Sequence, residues 1–369
     1  MQTFDVVIVG GGPAGSVLAL LLVRSGASVC VLENTQYDYR RPGEFLSSNA
    51  NPLITQIGLW EVLDEAGAVP SFGLISAWGN SELVDREFML NPHGQCHHLD
   101  RQRFDLELAL FSQKAGIELY QGATFQSACR VGDRWIIGFG GIDGRMELDA
   151  KIVVDASGRA CALTRHLGVK RHVLDQLVGL GAEFNPVVDC RADSRLLLES
   201  VEMGWWYSLV VPGGKLRAIF MTDANLLAES GIPRELLWTT ALSSSLHTCD
   251  RIQYFTRDGK TIGSGAESHV LAQFCGEGWL AVGDAALARD PLSAQGIQKA
   301  IEGAMAAADS ILHSIDQSTL DGFPRYALWL ENEFNDYCSA HWHYYSFEQR
   351  WPESPFWRSR HSSSLDQPR

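Results

Sequence analysis

Three glycines close to the start of the chain have the spacing of a phosphate-binding turn. Gly10, Gly12 and Gly15 belong to a run of small residues that also contains Pro13 and Ala14. In a turn from a strand into a helix, the first glycine permits the bend and the second lets the backbone approach a pyrophosphate. The third allows the helix to pack closely on the strand. The N–H groups at the start of the helix then face the phosphates. These five residues are therefore predicted to bind a dinucleotide.

The elements around this turn follow the order that such a site requires. Residues 4–9 are typical of a buried strand, and residues 17–23 are apolar and helix-forming. A second apolar strand, residues 29–32, ends at Glu33, about 20 residues after the turn. A carboxylate there hydrogen-bonds a ribose 2′-hydroxyl and repels a 2′-phosphate. FAD or NAD is therefore expected rather than NADP.

Later segments add two more turns of small residues. Ser157 lies in Asp-Ala-Ser-Gly, directly after a predicted buried strand at residues 151–155. Gly283 and Asp284 end another predicted buried strand. The segment that follows leads into a helix rich in alanine, and its candidate residues are Pro291, Gln295, Gly296 and Ile297. Small residues at such turns let the backbone lie against a flat nucleotide.

Composition limits the class of protein. The chain has 369 residues, of which 46% are hydrophobic and 20% charged, as in ordinary globular proteins. A net charge of −14 and the lack of any lysine before Lys114 argue against a nucleic-acid partner. The eight cysteines include no C-x-x-C pair, so we expect reduced thiols and no metal site. The first strand starts at the N-terminus and the apolar run 17–23 is too short to span a membrane, so a cytoplasmic protein without a membrane partner is expected.

Four separated segments together resemble one known family. They are the glycine turn with Glu33, Asp100-Arg101 before Phe104-Asp105, the Ser157 turn, and Gly283-Asp284 with Pro291 and Gly296. They are similar to the FAD-containing aromatic hydroxylases of the para-hydroxybenzoate hydroxylase type and to the related flavin-dependent tryptophan halogenases. The resemblance implies FAD as cofactor, Glu33 at the adenosine ribose and Asp284 at the ribityl chain. It also implies a cofactor-binding role for Arg101 and places Gly296 and Ile297 against the N1–C2=O edge of the flavin.

The same resemblance implies an α/β fold in which a Rossmann-like FAD-binding domain is interleaved with an antiparallel-sheet substrate domain. The expected FAD-binding parts are residues 1–70, 99–168 and 271–320. The substrate domain takes residues 71–98 and 169–270, where alternating apolar and polar positions predict strands. Residues 321–369 form a C-terminal helical segment.

Two features bear on the branch of the family. Residues 203–208 with Pro212 look like a blurred halogenase signature Trp-x-Trp-x-Ile-Pro, which they do not match. The lysine that halogenases carry in the segment after the first helical region is missing. The C-terminal residues 343–357 resemble a halogenase-related subgroup. Its members include flavoproteins that modify a tryptophan of a partner protein during maturation of tryptophylquinone-containing amino-acid oxidases.

The function implied is hydroxylation of a tryptophan side chain in a precursor oxidase polypeptide, during cysteine tryptophylquinone biogenesis, through a flavin C4a-(hydro)peroxide. The alternatives are a hydroxylase or halogenase of a free small aromatic, a flavin-dependent reductase of prenyl double bonds, and a non-catalytic FAD-bound chaperone. No second dinucleotide motif follows a strand. We therefore expect an external electron donor, either NAD(P)H or a flavin reductase.

Several side chains are candidates for contact with the substrate or the phosphates. Trp205 and Trp206 are consecutive on a predicted strand, so one is expected to line the cavity above the flavin and the other to lie in the core. Arg41 is a candidate phosphate clamp, although it fits a solvated loop equally well. Glu44 is a candidate acid or base, although its position favours a solvated loop carboxylate. His97 could assist proton transfer, because imidazole titrates near neutral pH.

Overall fold

The computed structural model describes residues 1–87, 91–141, 144–187, 193–317 and 323–362. Strands over these residues are β1 (Gln2–Val9), β2 (Val29–Glu33), β3 (Phe45–Leu46), β4 (Val69–Ser71), β5 (Gly73–Ala77), β6 (Val84–Glu87), β7 (Cys96–His98), β8 (Glu118–Gln121), β9 (Thr124–Val131), β10 (Arg134–Gly141), β11 (Gly144–Asp155), β12 (Arg171–Val173), β13 (Leu177–Pro186), β14 (Leu196–Val201), β15 (Gly204–Val210), β16 (Leu216–Asp223), β17 (Phe255–Gly265), β18 (His269–Leu271), β19 (Cys275–Gly276), β20 (Trp279–Ala281) and β21 (Leu287–Ala288).

Helices over the same residues are α1 (Pro13–Arg24), α2 (Asn51–Ile57), α3 (Trp60–Glu65), α4 (Arg101–Lys114), α5 (Ala162–His166), α6 (Ala224–Ser230), α7 (Arg234–Ser243), α8 (His247–Ile252), α9 (Gly296–Gln317), α10 (Pro324–Ser346) and α11 (Pro355–Ser362). Short 3-10 turns at Gly158–Ala160, Gly283–Ala285 and Pro291–Ser293 lie between longer elements. None of these described helices is both long enough and apolar enough to cross a bilayer.

The first sheet carries the glycine turn. Its strand order is β19-β20-β11-β1-β2-β8, with β10 and β9 added as an antiparallel hairpin beside β11. Strand β1 pairs in parallel with β2 and β11, and β11 pairs in parallel with β20. The carboxyl ends of β1, β2, β11 and β20 therefore meet at one edge, where ligands of open parallel sheets bind. Helices α1 and α9 pack in the same apolar core, with α10 beside them.

The second sheet is mostly antiparallel, in the order β17-β13-β16-β15-β14-β5-β6. Only the β14–β5 pair is parallel among its described pairings. Helix α7 packs on one face through Trp238, beside Phe220 and Trp206. The other face carries Trp205 and contacts the C-terminal segment through Tyr345 and Trp357. The α/β fold expected from sequence is confirmed, including the interleaving of the two sheets along the chain.

Candidate functional site

The first glycine turn is fixed by contact between strand ends. Gly10 has a φ of +113°, and a Cβ there would collide with the carbonyl oxygen of Ala156, which follows β11. A Cβ at Gly15 would collide with the carbonyl oxygen of Gly10. By contrast, the nearest atom to a Cβ at Gly12 would be a guanidinium nitrogen of Arg41 at 3.4 Å. The first and third glycines thus serve packing, and the second faces the space where a pyrophosphate would lie.

Helix α1 begins without any side-chain cap. Gly12 is its N-cap residue and Pro13 is its first residue. A helix start without a cap leaves backbone N–H groups for a ligand and carries a partial positive charge. An FAD pyrophosphate fits such a cradle.

Glu33 holds the turn from the end of β2. Its buried carboxylate accepts a hydrogen bond from the backbone N–H of Gly11 at 2.8 Å and one from the Thr35 hydroxyl at 2.5 Å. The hydroxyl of Tyr37 donates to the carbonyl oxygen of Gly11 at 2.9 Å. The residue expected to contact the ribose therefore also shapes the backbone beside it.

Arg41 and Arg101 meet at one carboxylate. Arg41 pairs with Glu33 at 3.0 Å and with Asp105 at 3.4 Å. Arg101 donates two hydrogen bonds to Asp105, at 3.1 and 3.0 Å, and a third to the carbonyl oxygen of Pro42 at 2.8 Å. These contacts place Arg41 over the glycine turn. Through them Arg101 also holds the loop that carries Arg41. Arg41 is thus not an incidental solvated arginine.

The second small-residue turn depends on a buried carboxylate. Asp155, at the end of β11, accepts hydrogen bonds from the N–H and hydroxyl of Ser157 and from the N–H and hydroxyl of Thr164. The Ser157 hydroxyl oxygen accepts one from the N–H of Ala162 at 2.7 Å. Ser157 therefore fixes the path of the chain beside the glycine turn, next to Gly10.

The third turn packs against the start of α1. Gly283 has a φ of +60°, and a Cβ there would lie 2.8 Å from the Cβ of Ala14. The carboxylate of Asp284 is 45% exposed and lies 3.7 Å from the Nε of Arg159. It remains open to a polar ligand, as a role at the ribityl chain requires.

The segment from Pro291 to Ile297 follows that turn. A 3-10 turn begins at Pro291, Ala294 adopts a left-handed φ of +51°, and α9 starts at Gly296. A Cβ at Gly296 would meet no atom within 4 Å, so its backbone faces open space. Gln295 is half-buried and Ile297 is buried. A helix start facing open space suits the electron-rich edge of a reduced flavin.

Glu44 lies in a buried ion-pair cluster rather than in a solvated loop. It is 3% exposed, and its carboxylate lies 2.8 Å from Nη1 of Arg217. Arg217 also pairs with Glu183 at 2.8 Å, and Glu183 pairs with Arg40 at the surface. Burial and the Glu44 carboxylate raise the pKa of Tyr207 well above its ordinary value. The loop after β2 is thereby joined to strands β13 and β16 of the second sheet.

Trp205 and Trp206 point to opposite faces, as expected for neighbours on a strand, but both are fully buried. The Nε1–H of Trp205 donates to the Tyr345 hydroxyl at 3.0 Å, and the ring of Trp206 packs on Phe220 and Trp238. The expectation that one of them lines a cavity above the flavin does not match this placement. Neither ring borders space for a substrate, because α7 covers one and the C-terminal segment covers the other.

His97 borders a shallow pocket of about 560 Å³ on the described surface. Its ring lies edge-on to Trp60, with 5.8 Å between centroids, and burial lowers its pKa. The neighbouring His98 is buried and donates through Nδ1 to the carbonyl oxygen of Val210 at 2.7 Å. Burial lowers the pKa of His98 to about 4, so it is neutral near pH 7. No described contact joins His97 to the glycine turn.

A buried polar network behind the third turn was missed by sequence reasoning. Asp290 accepts a hydrogen bond from the N–H of Leu292 at 2.8 Å and one from the hydroxyl of Tyr345 at 2.7 Å. Tyr345 also accepts the bond from Trp205, and the hydroxyl of Tyr337 accepts one from the N–H of Asp290. The signal available was Asp-Pro, a helix-starting pair, at the end of the Gly-Asp segment. Its partners lie about 50 residues away along the chain, so no local pattern pointed to them.

The geometry defines a class before any comparison: an α/β flavoprotein whose dinucleotide cleft lies at the carboxyl edge of a parallel sheet. Comparison with known proteins gives the family. The sequence profile of the family named FAD binding domain matches residues 3–323. The chain therefore belongs to this family, FAD is its cofactor, and it is an enzyme of the FAD-dependent oxidoreductase class.

Individual relatives cover almost the whole chain. LodB of Marinomonas mediterranea, whose name is that of an FAD-dependent oxidoreductase, is 28% identical over 99% of this chain and 98% of its own length. A brominase of pyrrole-2-carbonyl carrier proteins from Pseudoalteromonas luteoviolacea is 27% identical over 85% of this chain and 79% of its own.

Solved structures share the fold. The myxobacterial chondrochloren halogenase CndH has a TM-score of 0.87 at 22% identity, covering 98% of this chain and 86% of that one. QhpG, a peptidyl tryptophan dihydroxylase essential for tryptophylquinone cofactor biogenesis, has a TM-score of 0.77 at 23% identity, covering 97% and 79%. The predicted superfamily of FAD-dependent aromatic monooxygenases and halogenases is thus confirmed at the level of the fold.

Proposed function

We propose that this enzyme is an FAD-dependent monooxygenase that hydroxylates a tryptophan side chain of a partner polypeptide during cysteine tryptophylquinone biogenesis. The observation that carries the choice is where the lysines lie. A halogenase needs an active-site ammonium, whereas a hydroxylase on the same fold does not. The fold shared with QhpG supports the same choice.

None of the six lysines of this chain has a free ammonium in a buried position. Four are exposed at the surface: Lys114, Lys151, Lys170 and Lys260. The half-buried Lys215 and Lys299 are both paired with carboxylates, Lys215 with Asp258 at 2.9 Å and Lys299 with Glu302 at 2.8 Å. All six lie in the described ranges of the chain.

The part of the chain before Lys114 holds no lysine, and Trp78 follows β5 in it. Its Nε1–H donates to the carbonyl oxygen of Tyr344 at 2.9 Å. Its ring packs edge-on against Trp205 and Trp357, at 6.3 and 5.5 Å between centroids. An indole held in this way cannot carry or orient a hypohalous acid. This arrangement supports oxygen transfer over halogenation.

Bound FAD, once reduced, supplies the activation of O₂. The protein's own residues then have three tasks. The glycine turn and Glu33 would hold the dinucleotide, with Arg41 available to its pyrophosphate. The start of α9 at Gly296 would stabilise negative charge on the flavin ring. We keep Glu44 and His97 as proposed acid–base groups, of which His97 has the more open position.

The partners follow from the same proposal. The substrate is a precursor oxidase that carries the target tryptophan, and the electrons come from an external donor. We place its action in the reducing cytoplasm, where exposed cysteines such as Cys129 and Cys249 stay free thiols.

A second candidate function is hydroxylation or halogenation of a free small aromatic. The observation that favours it is the higher TM-score with the halogenase CndH, 0.87 against 0.77 for QhpG. The two functions differ in the substrate that is consumed.

The test supplies photoreduced FAD, O₂ and bromide together with one of two substrates. One is a tryptophan-containing precursor polypeptide of a tryptophylquinone oxidase, and the other is free tryptophan. We expect the polypeptide to gain one or two oxygen atoms by intact mass and free tryptophan to stay unchanged. Glu33→Ala should lose the reaction and the exposed control Glu147→Gln should keep it. A brominated product, or oxidation of free tryptophan alone, would overturn the proposal.

A further inference from the structure

One stretch of the chain has a charge opposite to that of the whole protein. Between Asp155 and Asp175 the sequence contains Arg159, Arg165, Lys170 and Arg171 and no carboxylate. The net charge of this stretch is +4, in a chain whose net charge is −14. Every other stretch between two successive acidic residues carries at most two lysines or arginines.

Three of these cations face solvent. Arg165, Lys170 and Arg171 are exposed, and we call them the basic strip. Arg165 is in the last turn of α5, and a hydrogen bond from the N–H of Gly168 to its carbonyl oxygen closes the turn that leads to Lys170. Arg171 pairs with Glu267 at 3.7 Å, whereas no carboxylate within ion-pair distance is found for Arg165 or Lys170 among the described residues. Two of the three charges are thus available to a partner.

The basic strip adjoins the dinucleotide cleft. Nη1 of Arg171 donates to the carbonyl oxygen of Arg159 at 3.1 Å. Arg159 in turn contacts Asp284, and its guanidinium also donates to the carbonyl oxygens of Glu267 and Arg289. A partner on the basic strip would therefore be linked through Arg171 and Arg159 to Asp284, the residue expected at the ribityl chain.

We propose that the basic strip is the docking surface for an acidic electron-transfer protein that reduces the bound FAD. The inference deepens the proposed function, because it concerns the donor which that function requires. A protein partner fits better than a dinucleotide, because these side chains are exposed on the surface. Complementary charge brings such a partner to the cleft and orients it there.

Two molecules of a one-electron carrier supply the two electrons that reduction of one flavin requires. Two donor molecules each lose one electron, and the flavin takes up both electrons and one proton from solvent. The donors leave oxidised. The strip itself is not consumed and forms no covalent bond, so its effect is on the rate of encounter.

The test measures anaerobic reduction of the bound FAD in the holoenzyme by stopped-flow absorbance. The probe is an acidic plant-type [2Fe–2S] ferredoxin, reduced beforehand and freed of its reductant. Its potential is low enough to reduce a flavin. We expect the rate constant for the wild type to fall about tenfold between low and high salt, as steered encounters do. The double variant Arg165→Glu/Lys170→Glu should lower the low-salt rate constant about tenfold and flatten the salt dependence.

Two controls separate docking from other effects. Lys114→Glu/Lys260→Glu makes the same change of charge at exposed lysines elsewhere and should keep the wild-type rate. Photoreduced 5-deazaflavin, a small donor, should reduce all variants equally. A salt-independent rate, or equal slowing in both double variants, would overturn the proposal. The proposal would also be overturned if NADPH reduced the bound FAD more slowly in the strip variant alone, because the strip would then be a nucleotide site. Tryptophan hydroxylation with photoreduced FAD does not involve the strip, so failure here leaves the proposed function standing.

Discussion

The dinucleotide edge of the first sheet and the aromatic cluster on the second sheet are built in different ways. At the dinucleotide edge, short turns directly after parallel strands meet through backbone atoms, as where Gly10 touches Ala156. The aromatic cluster joins Trp78, Trp205, Tyr345 and Trp357, which come from distant parts of the chain. The first region leaves space that a ligand can fill. The second fills its own space, and its aromatic rings pack on one another.

Among single substitutions, the largest expected effect is at the dinucleotide edge. Gly10→Ala forces a side chain into a left-handed backbone and against a carbonyl oxygen, so it should lower the free energy of unfolding by about 5 kcal/mol. FAD should be absent from the purified protein. Gly132→Ala is the matched control, because Gly132 has a φ of +66° but no atom within 4 Å of the added Cβ. It should cost only about 1–2 kcal/mol. Equal losses in urea denaturation would show that backbone contact does not fix this turn.

The second effect concerns the ion pairs that join the two regions. Arg217→Met leaves the carboxylates of Glu44 and Glu183 buried with fewer partners, so it should cost about 3–4 kcal/mol. Lys260→Met at an exposed position should cost less than about 0.5 kcal/mol. Chemical denaturation of both variants checks this. An Arg217→Met protein as stable as the wild type would mean that the two sheets are not coupled through this cluster.

A third effect is loss of stability in mild acid. His98 is buried on β7 and His269 is buried beside the third turn, and burial lowers the pKa of each to about 4. The unfolded chain takes up these protons near pH 6.5, before the folded protein does. The free energy of unfolding should therefore keep its maximum value above pH 6.5. It should decrease by about 3 kcal/mol for each histidine as the pH drops towards 4. His98→Asn should reduce the fall by about half. A flat profile over this range would contradict the burial of both rings.

The smallest effect tests the aromatic cluster. Tyr345→Phe removes the hydroxyl that links Trp205 to Asp290, leaving a buried donor and a buried carboxylate oxygen with one partner fewer. It should lower the free energy of unfolding by about 1–2 kcal/mol. Tyr344→Phe, at an exposed neighbour, should be neutral. If both variants behaved alike in thermal unfolding, the network would not hold the third turn.

Sequence reasoning went furthest where structure is local. The strand, glycine turn and helix from Gln2 to Arg24 are consecutive, and Glu33 ends the next strand, so spacing alone predicted their meeting. The apolar positions between Leu53 and Leu63 have one continuous helical spacing, but Gly58 adopts a left-handed φ of +76° and divides this segment into α2 and α3.

Prediction failed where a residue's surroundings come from distant segments. Strand alternation gave the opposite directions of Trp205 and Trp206 but not what covers them. Glu44 fitted a solvated loop by its neighbours in sequence, yet Arg217, far along the chain, encloses it. The surroundings of such side chains depend on tertiary packing, which has no local signal in the sequence.

The most direct test of the whole account is titration of FAD into the cofactor-free protein, followed by quenching of flavin fluorescence. We predict saturable binding with one FAD per chain. Glu33→Gln should weaken binding about 10- to 100-fold, through loss of a charged hydrogen bond, while the exposed control Glu147→Gln should leave it unchanged. Absence of binding by the wild type, or equal affinity in Glu33→Gln, would contradict a dinucleotide held at this edge of the sheet.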